Sequence, residues 1–181
     1  MTLKEVKENT LALIEELNAE HELLTEDPDI AAKINPVINQ IMHEIIRIKK
    51  IPTYSIEEVA SDEIFDLNQL VDFYQLKRIK YDGDYEIIDN MVQFSALGTA
   101  TFFYYKYPER ITKDTSDNYE FELSQDCLEI LPYGVAADML KSDVSTGYGK
   151  IYADRYESML QRLDPRHSLD KRAYFEGGVD I

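Results

Sequence analysis

His43 and Glu44 begin an H-E-x-x-H pattern, in which two imidazoles one helical turn apart would hold zinc beside a general base. The fifth residue is Arg47, so the second ligand is missing. His43 also lies off the apolar stripe of its segment, where an exposed histidine is the plainer reading. The piece GYGK (147–150) has the glycine and lysine of a phosphate loop, yet Val144 stands where the earlier glycine is needed and Ile151 where the hydroxyl is needed. It reads as a flexible turn opening a helix. Cys127 is the only cysteine, which excludes an internal disulfide and a cysteine-only metal site. The histidines are His21, His43 and His167; nothing in their spacing pairs one with Cys127 as a base, and no Gly-x-Ser-x-Gly occurs. Asp82 with Asp84, and Asp62 with Glu63, offer oxygen ligands without the spacing of a calcium loop, so charged turns are expected there. The expectation is therefore a protein that is not an enzyme, with no catalytic residue, no metal ligand and no cofactor.

Thirteen tyrosines and no tryptophan are more suggestive. A tyrosine supplies large contact area with a polar end, which serves a core or an interface. Tyr148, Tyr152 and Tyr156 repeat at helical spacing and are candidates for either. The net charge is −16, spread along the chain with no basic arm, which argues against gripping nucleic-acid phosphates. Solubility alone would account for such acidity. With 181 residues, 44% of them hydrophobic, the chain can bury a real core. Its apolar runs fall far short of a membrane span, and the charged first eighteen residues do not form a signal peptide.

The elements that must position these residues follow from the apolar spacing. Thr2 and Glu5 form a capping box ahead of a first helix with Leu3, Val6, Leu13 and Leu17 on one face. Asp27 and Pro28 open a second helix. Its stripe Ile30, Ile34, Val37, Ile41, Ile45, Ile48 continues past Pro36, which predicts one kinked helix rather than two. From about Tyr54 the period becomes that of strands, in LKRIKY (76–81), DYEIID (84–89), MVQF (91–94), TATFFYYKYP (99–108) and YEFEL (119–123). Asp89-Asn90 and Ala96-Leu97-Gly98 are the expected hairpin turns. Aromatic residues on both faces of 99–108 predict a central strand with cover on each side. Helices return from Ser124 to about Lys141 and from Tyr148 until Pro165. The fold class expected is α+β: a helical body made by the N- and C-terminal helices, with an inserted small antiparallel β-sheet or sandwich. Its parts are N-terminal helices (1–53), the β unit (54–123), a C-terminal helical pair packing on the N-terminal helices (124–164) and an extended tail (165–181). Ile34, Ile41, Ile45, Leu131, Val135 and Leu163 are the expected core.

LPYGVAADMLKSD followed by YGKIYADRYESMLQRLDPR resembles the C-terminal helical pair of phage and prophage head–tail connector proteins, the adaptor or head-completion family. IAAKINPVINQIMHEIIRIKKIP is similar to the long N-terminal helix of that family, and ATFFYYKYPERIT to the end of its β insertion. The resemblance covers most of the chain and is one of pattern, without catalytic signatures. It implies a structural virion protein: one subunit of a ring, usually dodecameric, beneath the portal and around the DNA channel. The implied partners are the portal ring, neighbouring copies and the next neck or tail protein. The implied location is the virion neck, and the host cytoplasm during assembly. DNA would pass without specific binding, helped by a negative lumen, and no membrane is involved. The tail from His167 to Ile181, with Arg172, Tyr174 and Phe175, becomes the candidate portal-docking arm, and Tyr148, Tyr152 and Tyr156 become candidate ring-wall contacts.

Pro132 and Gly134 interrupt an otherwise regular helical stripe, Leu128, Leu131, Val135, Met139. Proline removes a helical donor and glycine costs about 1 kcal/mol relative to alanine. Either they serve close approach of a neighbouring subunit, or the kink is needed only by the chain's own core. Two other functions compete with the connector reading: another phage tail-completion or baseplate-associated interaction protein, and a small hydrolase or metal-binding enzyme.

Overall fold

A computed structural model describes residues 1–15, 28–61, 63–142 and 147–163. The fold is α+β, with four α-helices and two small antiparallel sheets among the described residues. Helix α1 (Leu3–Leu13) starts at the expected capping box. The Glu5 amide donates to Thr2 Oγ1 at 3.2 Å, and the Thr2 amide to Glu5 Oε2 at 2.7 Å. That backbone hydrogen bond, first among the causes, holds the Glu5 carboxyl below its ordinary value. Leu3, Val6 and Thr10 are buried, and the Thr10 hydroxyl turns back to the Val6 carbonyl at 2.8 Å. Leu17 and Asp27 lie outside the described residues.

Helix α2 (Pro28–Ile46) runs through Pro36 as a single helix. Its buried side is wider than the expected stripe: Ile38, Met42 and Ile46 join Ile34, Ile41 and Ile45, while Ile48 falls beyond the helix end. Helix α3 (Gln125–Met139) is the hub, because α1, α2 and α4 (Tyr148–Leu163) each pack on it. Ser124 takes the N-cap position but makes no side-chain cap; its hydroxyl faces Cys127 Sγ at 3.2 Å instead. The expected core residues are buried except Leu163, which is only partly covered at the margin.

Between the helices stand β1 (Ile51–Val59), β2 (Ile64–Asp66), β3 (Phe73–Lys80), β4 (Tyr85–Ile88), β5 (Met91–Phe94) and β6 (Gly98–Lys106). One sheet has the order β1-β6-β3 and the other β2-β5-β4. The chain therefore changes sheet at every connection except the β4–β5 hairpin, whose turn is Asp89-Asn90, with Asp89 at φ 54°. Ala96-Leu97-Gly98 is not a hairpin: β5 and β6 belong to different sheets, and the segment carries the chain across. The inner faces meet in a second apolar cluster of Val59, Leu67, Ile79, Val92, Phe94, Ala100, Phe102 and Tyr104. Phe65 stacks on Phe102 at 4.7 Å, and Phe94 meets Phe102 edge-on at 6.1 Å, so the two layers form a small sandwich.

Residues 119–123 correct another expectation. Tyr119, Phe121 and Leu123 do face inward, but no strand forms; the only pairing is an isolated bridge from Glu120 to Thr2. Their alternation seats an extended segment on the helical core. Asn39 fastens the same stretch of chain, donating to the Ile111 carbonyl at 2.7 Å and accepting from the Ile111 amide at 2.8 Å. The boundary of the β unit thus moves to Ile51 and Lys106, and 107–123 belongs with the helices.

Candidate interface residues

Gly134 is consumed inside the chain. A Cβ there would sit 2.7 Å from Ile41 Cγ2 and 2.8 Å from Tyr156 Cε2, so its lack of a side chain lets α2 and α4 approach α3. Pro132 is likewise buried on α3. Tyr156 is buried against Gly134, and its hydroxyl donates to Glu44 Oε2 at 3.1 Å. Burial, with the Glu44 charge second, pushes its phenol well up. Of the two readings of the Pro132–Gly134 pair, the close approach observed is between helices of one chain.

The tyrosine stripe is graded from inside to outside. Tyr152 is half-buried and donates to the Leu13 carbonyl at 2.6 Å, tying α4 to the end of α1. Tyr148 is exposed, its ring 6.4 Å from that of Tyr152. Of the three, Tyr148 is the most exposed, at 42%, and Tyr156 the least, at 8%. Arg172, Tyr174 and Phe175, with the whole expected arm, lie outside the described residues.

A groove of about 560 Å³ opens between α1, α3 and α4, lined by Leu13, Glu129, Pro132, Tyr133, Arg155 and Met159. The Arg155 guanidinium lies 5.8 Å from the Tyr133 ring centre. No nucleophile with an adjacent base lines it. Cys127 is buried and its thiol is pushed up, by burial first, which suits packing rather than attack. Among the described residues no group of three or more His, Cys, Asp and Glu gathers closely enough to hold a metal, and no helix is long and apolar enough to cross a membrane.

The exposed surface of the β unit is the part that sequence reasoning missed. β6 is central, as its two aromatic faces predict, but only one face has apolar cover. On the other, Phe103 and Tyr105 are half-exposed and roofed by cations: the Arg78 guanidinium is 4.3 Å from the Phe103 centre, and Lys50 and Lys77 lie 5.1 and 5.9 Å from Tyr105. Cation–π contacts of this kind are worth about 0.5–1 kcal/mol at exposed sites. Tyr54 and Ile56 extend the face across β1. Compared with known proteins, the chain matches no family model and no curated sequence.

Proposed function

We propose that this chain is a structural subunit of a phage head–tail connector, assembling into a ring beneath the portal and acting without catalysis. The observation that carries the reading is the placement of the segments that resemble that family. IAAKINPVINQIMHEII falls in α2, LPYGVAADM in α3 and YGKIYADRYESMLQRL in α4, and α2 and α4 both pack on α3. ATFFYYK closes the inserted β unit as its central strand. The Pro132 and Gly134 irregularities then serve the subunit's own body, and contact with neighbours falls to the exposed tyrosine Tyr148 and to the β unit. The charge of −16 per chain suits a channel through which DNA slides without being held.

The test is co-sedimentation with purified portal rings of the same phage. Binding in a fixed ratio to the portal subunit is expected. Deleting residues 173–181 should abolish it while leaving the melting temperature nearly unchanged, if the tail is the docking arm. Failure of the full-length chain to bind portals, with binding instead to tail tubes or baseplates, overturns the connector reading.

A further inference from the structure

The two outer faces of the sandwich are unlike each other. The cross-strand rows of the first sheet place Pro52, Tyr105 and Gln75 side by side, then Tyr54, Phe103 and Arg78, then Ile56, Thr101 and Lys80. Tyr54 is 64% and Ile56 60% exposed. Three of the four basic residues between 51 and 107 are Lys77, Arg78 and Lys80, so β3 concentrates positive charge in an otherwise acidic unit. The second sheet's outer rows are Glu86, Gln93 and Ile64, then Ile88, Met91 and Asp66. Ile64 and Ile88 are 57% exposed and Met91 51%. No cation belongs to these three strands, and Glu63 and Asp89 stand at their ends.

We propose that these faces bind each other between copies: the cationic aromatic face of one sandwich, centred on Tyr54, Phe103 and Arg78, docks on the acidic apolar face of the next, centred on Ile88, Met91 and Glu86. Three observations select a second copy as the occupant. Large apolar side chains on both faces gain by leaving water. Their flanking charges are opposite, Arg78 and Lys80 outnumbering the exposed Glu58 at the far end of β1, whereas either face set against itself opposes mostly like charges. The faces also lie on opposite sides of a two-layer unit, because their inner sides share the Phe65–Phe102–Phe94 stack. A copy that uses one face therefore keeps the other free, and the contact is heterologous, which closes into a ring or continues as a filament according to its rotation. The cations are buried in that contact and the chain's remaining surface stays acidic. This deepens the ring reading and rests on it for closure, though not for the contact itself.

The experiment is disulfide trapping of the full-length chain at high protein concentration and low ionic strength; Cys127 is buried and stays out of the reaction. Tyr54→Cys mixed with Met91→Cys should give a linked dimer faster than either alone, and one chain carrying both should give a ladder of oligomers. Arg78→Glu in the Tyr54→Cys chain should lower the yield about tenfold or more, and Glu86→Lys in the Met91→Cys chain should restore it. Yields no higher than those of Tyr54→Cys mixed with the loop variant Leu97→Cys overturn the proposal, as do Tyr54–Tyr54 dimers alone. So does a fluorescent single-stranded oligonucleotide that binds this face, loses binding on Arg78→Glu and finds no competing cross-link. A chain that cross-links as proposed but ignores portal rings keeps this contact and loses the connector reading; the reverse result loses only the contact.

Discussion

In the helical body, Leu131, Gly134 and Val135 of α3 are all out of water, whereas in the β unit Tyr54, Ile56, Ile64, Ile88 and Met91 each lie more than half exposed. Helices can surround a helix, so α3 finds partners on several sides within one chain. A two-layer sandwich has one inner face per sheet, and the alternate side chain of every strand must face outward. Polar residues are the usual outward choice in antiparallel sheets. Here many are aromatic or aliphatic, and their neighbours carry charge of opposite sign on the two sides. The hub helix of the body is covered by its own chain; the sandwich has surface still to cover.

Mutations at the two centres should separate most sharply. Phe102→Ala removes the ring that joins the two sheets and should cost about 3–5 kcal/mol. Hydrogen exchange should then show the β-unit amides unprotected first; equal loss across α3 would mean that the two clusters unfold as one. In the body, Gly134→Val forces a branched side chain between Ile41 and Tyr156 and should cost about 2–3 kcal/mol by thermal melting. A variant as stable as the parent would show that α4 can retreat, and would undo the claim that α2 and α4 are packed tightly on α3 at Gly134.

Tyr156→Phe should cost about 1 kcal/mol at neutral pH through the lost bond to Glu44. Its pH profile is the sharper measurement. The folded phenol is raised above its ordinary value of 10.0, so its contribution is fully present below pH 10 and is lost as the unfolded chain ionises above it. Alkaline melts should fall less steeply in the variant. Part of the slope should remain, because burial also raises Tyr104, Tyr152 and Tyr119, the last to about 12. The smallest effect belongs to the open face: Tyr54→Ser and Ile56→Ser should each move monomer stability by no more than about 0.5 kcal/mol in chemical denaturation. A loss of several times that would mean these side chains already have a place in the monomer.

The helices were legible because their signals are local. The Thr2–Glu5 box and the isoleucines of α2 each specify an element without reference to the rest of the chain. Strand partners are not local. MVQF and TATFFYYK read as strands, but nothing between Phe94 and Gly98 says that they enter different sheets. Tyr119, Phe121 and Leu123 alternate like a strand because one side is covered, and alternation does not say whether a sheet or a helix covers it. β1 carries a weak strand signal: Pro52, Tyr54, Ile56 and Glu58 put unlike residues on one face, and Pro52 is tolerated because the strand is an edge. The same remoteness hid the cationic face. Arg78 reaches Phe103 through a ladder pairing that joins positions twenty-five residues apart.

The β unit begins at Ile51 and ends at Lys106, and these two residues are paired across the β1–β6 ladder. Opposed residues in such a ladder have Cα atoms about 4.5–5.5 Å apart, close enough for a two-residue turn to join them. The sandwich is therefore a cassette plugged into the helical body at a single seam. The chain enters and leaves it at one place, where Ile51 reaches into the helical core and Lys106 pairs with Glu122 at 2.6 Å, and the Asn39 clasp on Ile111 lies on the body's side of that seam. The body is constrained by its own packing, and the cassette by its inner cluster around Phe94 and Phe102 but not, beyond the seam, by the helices.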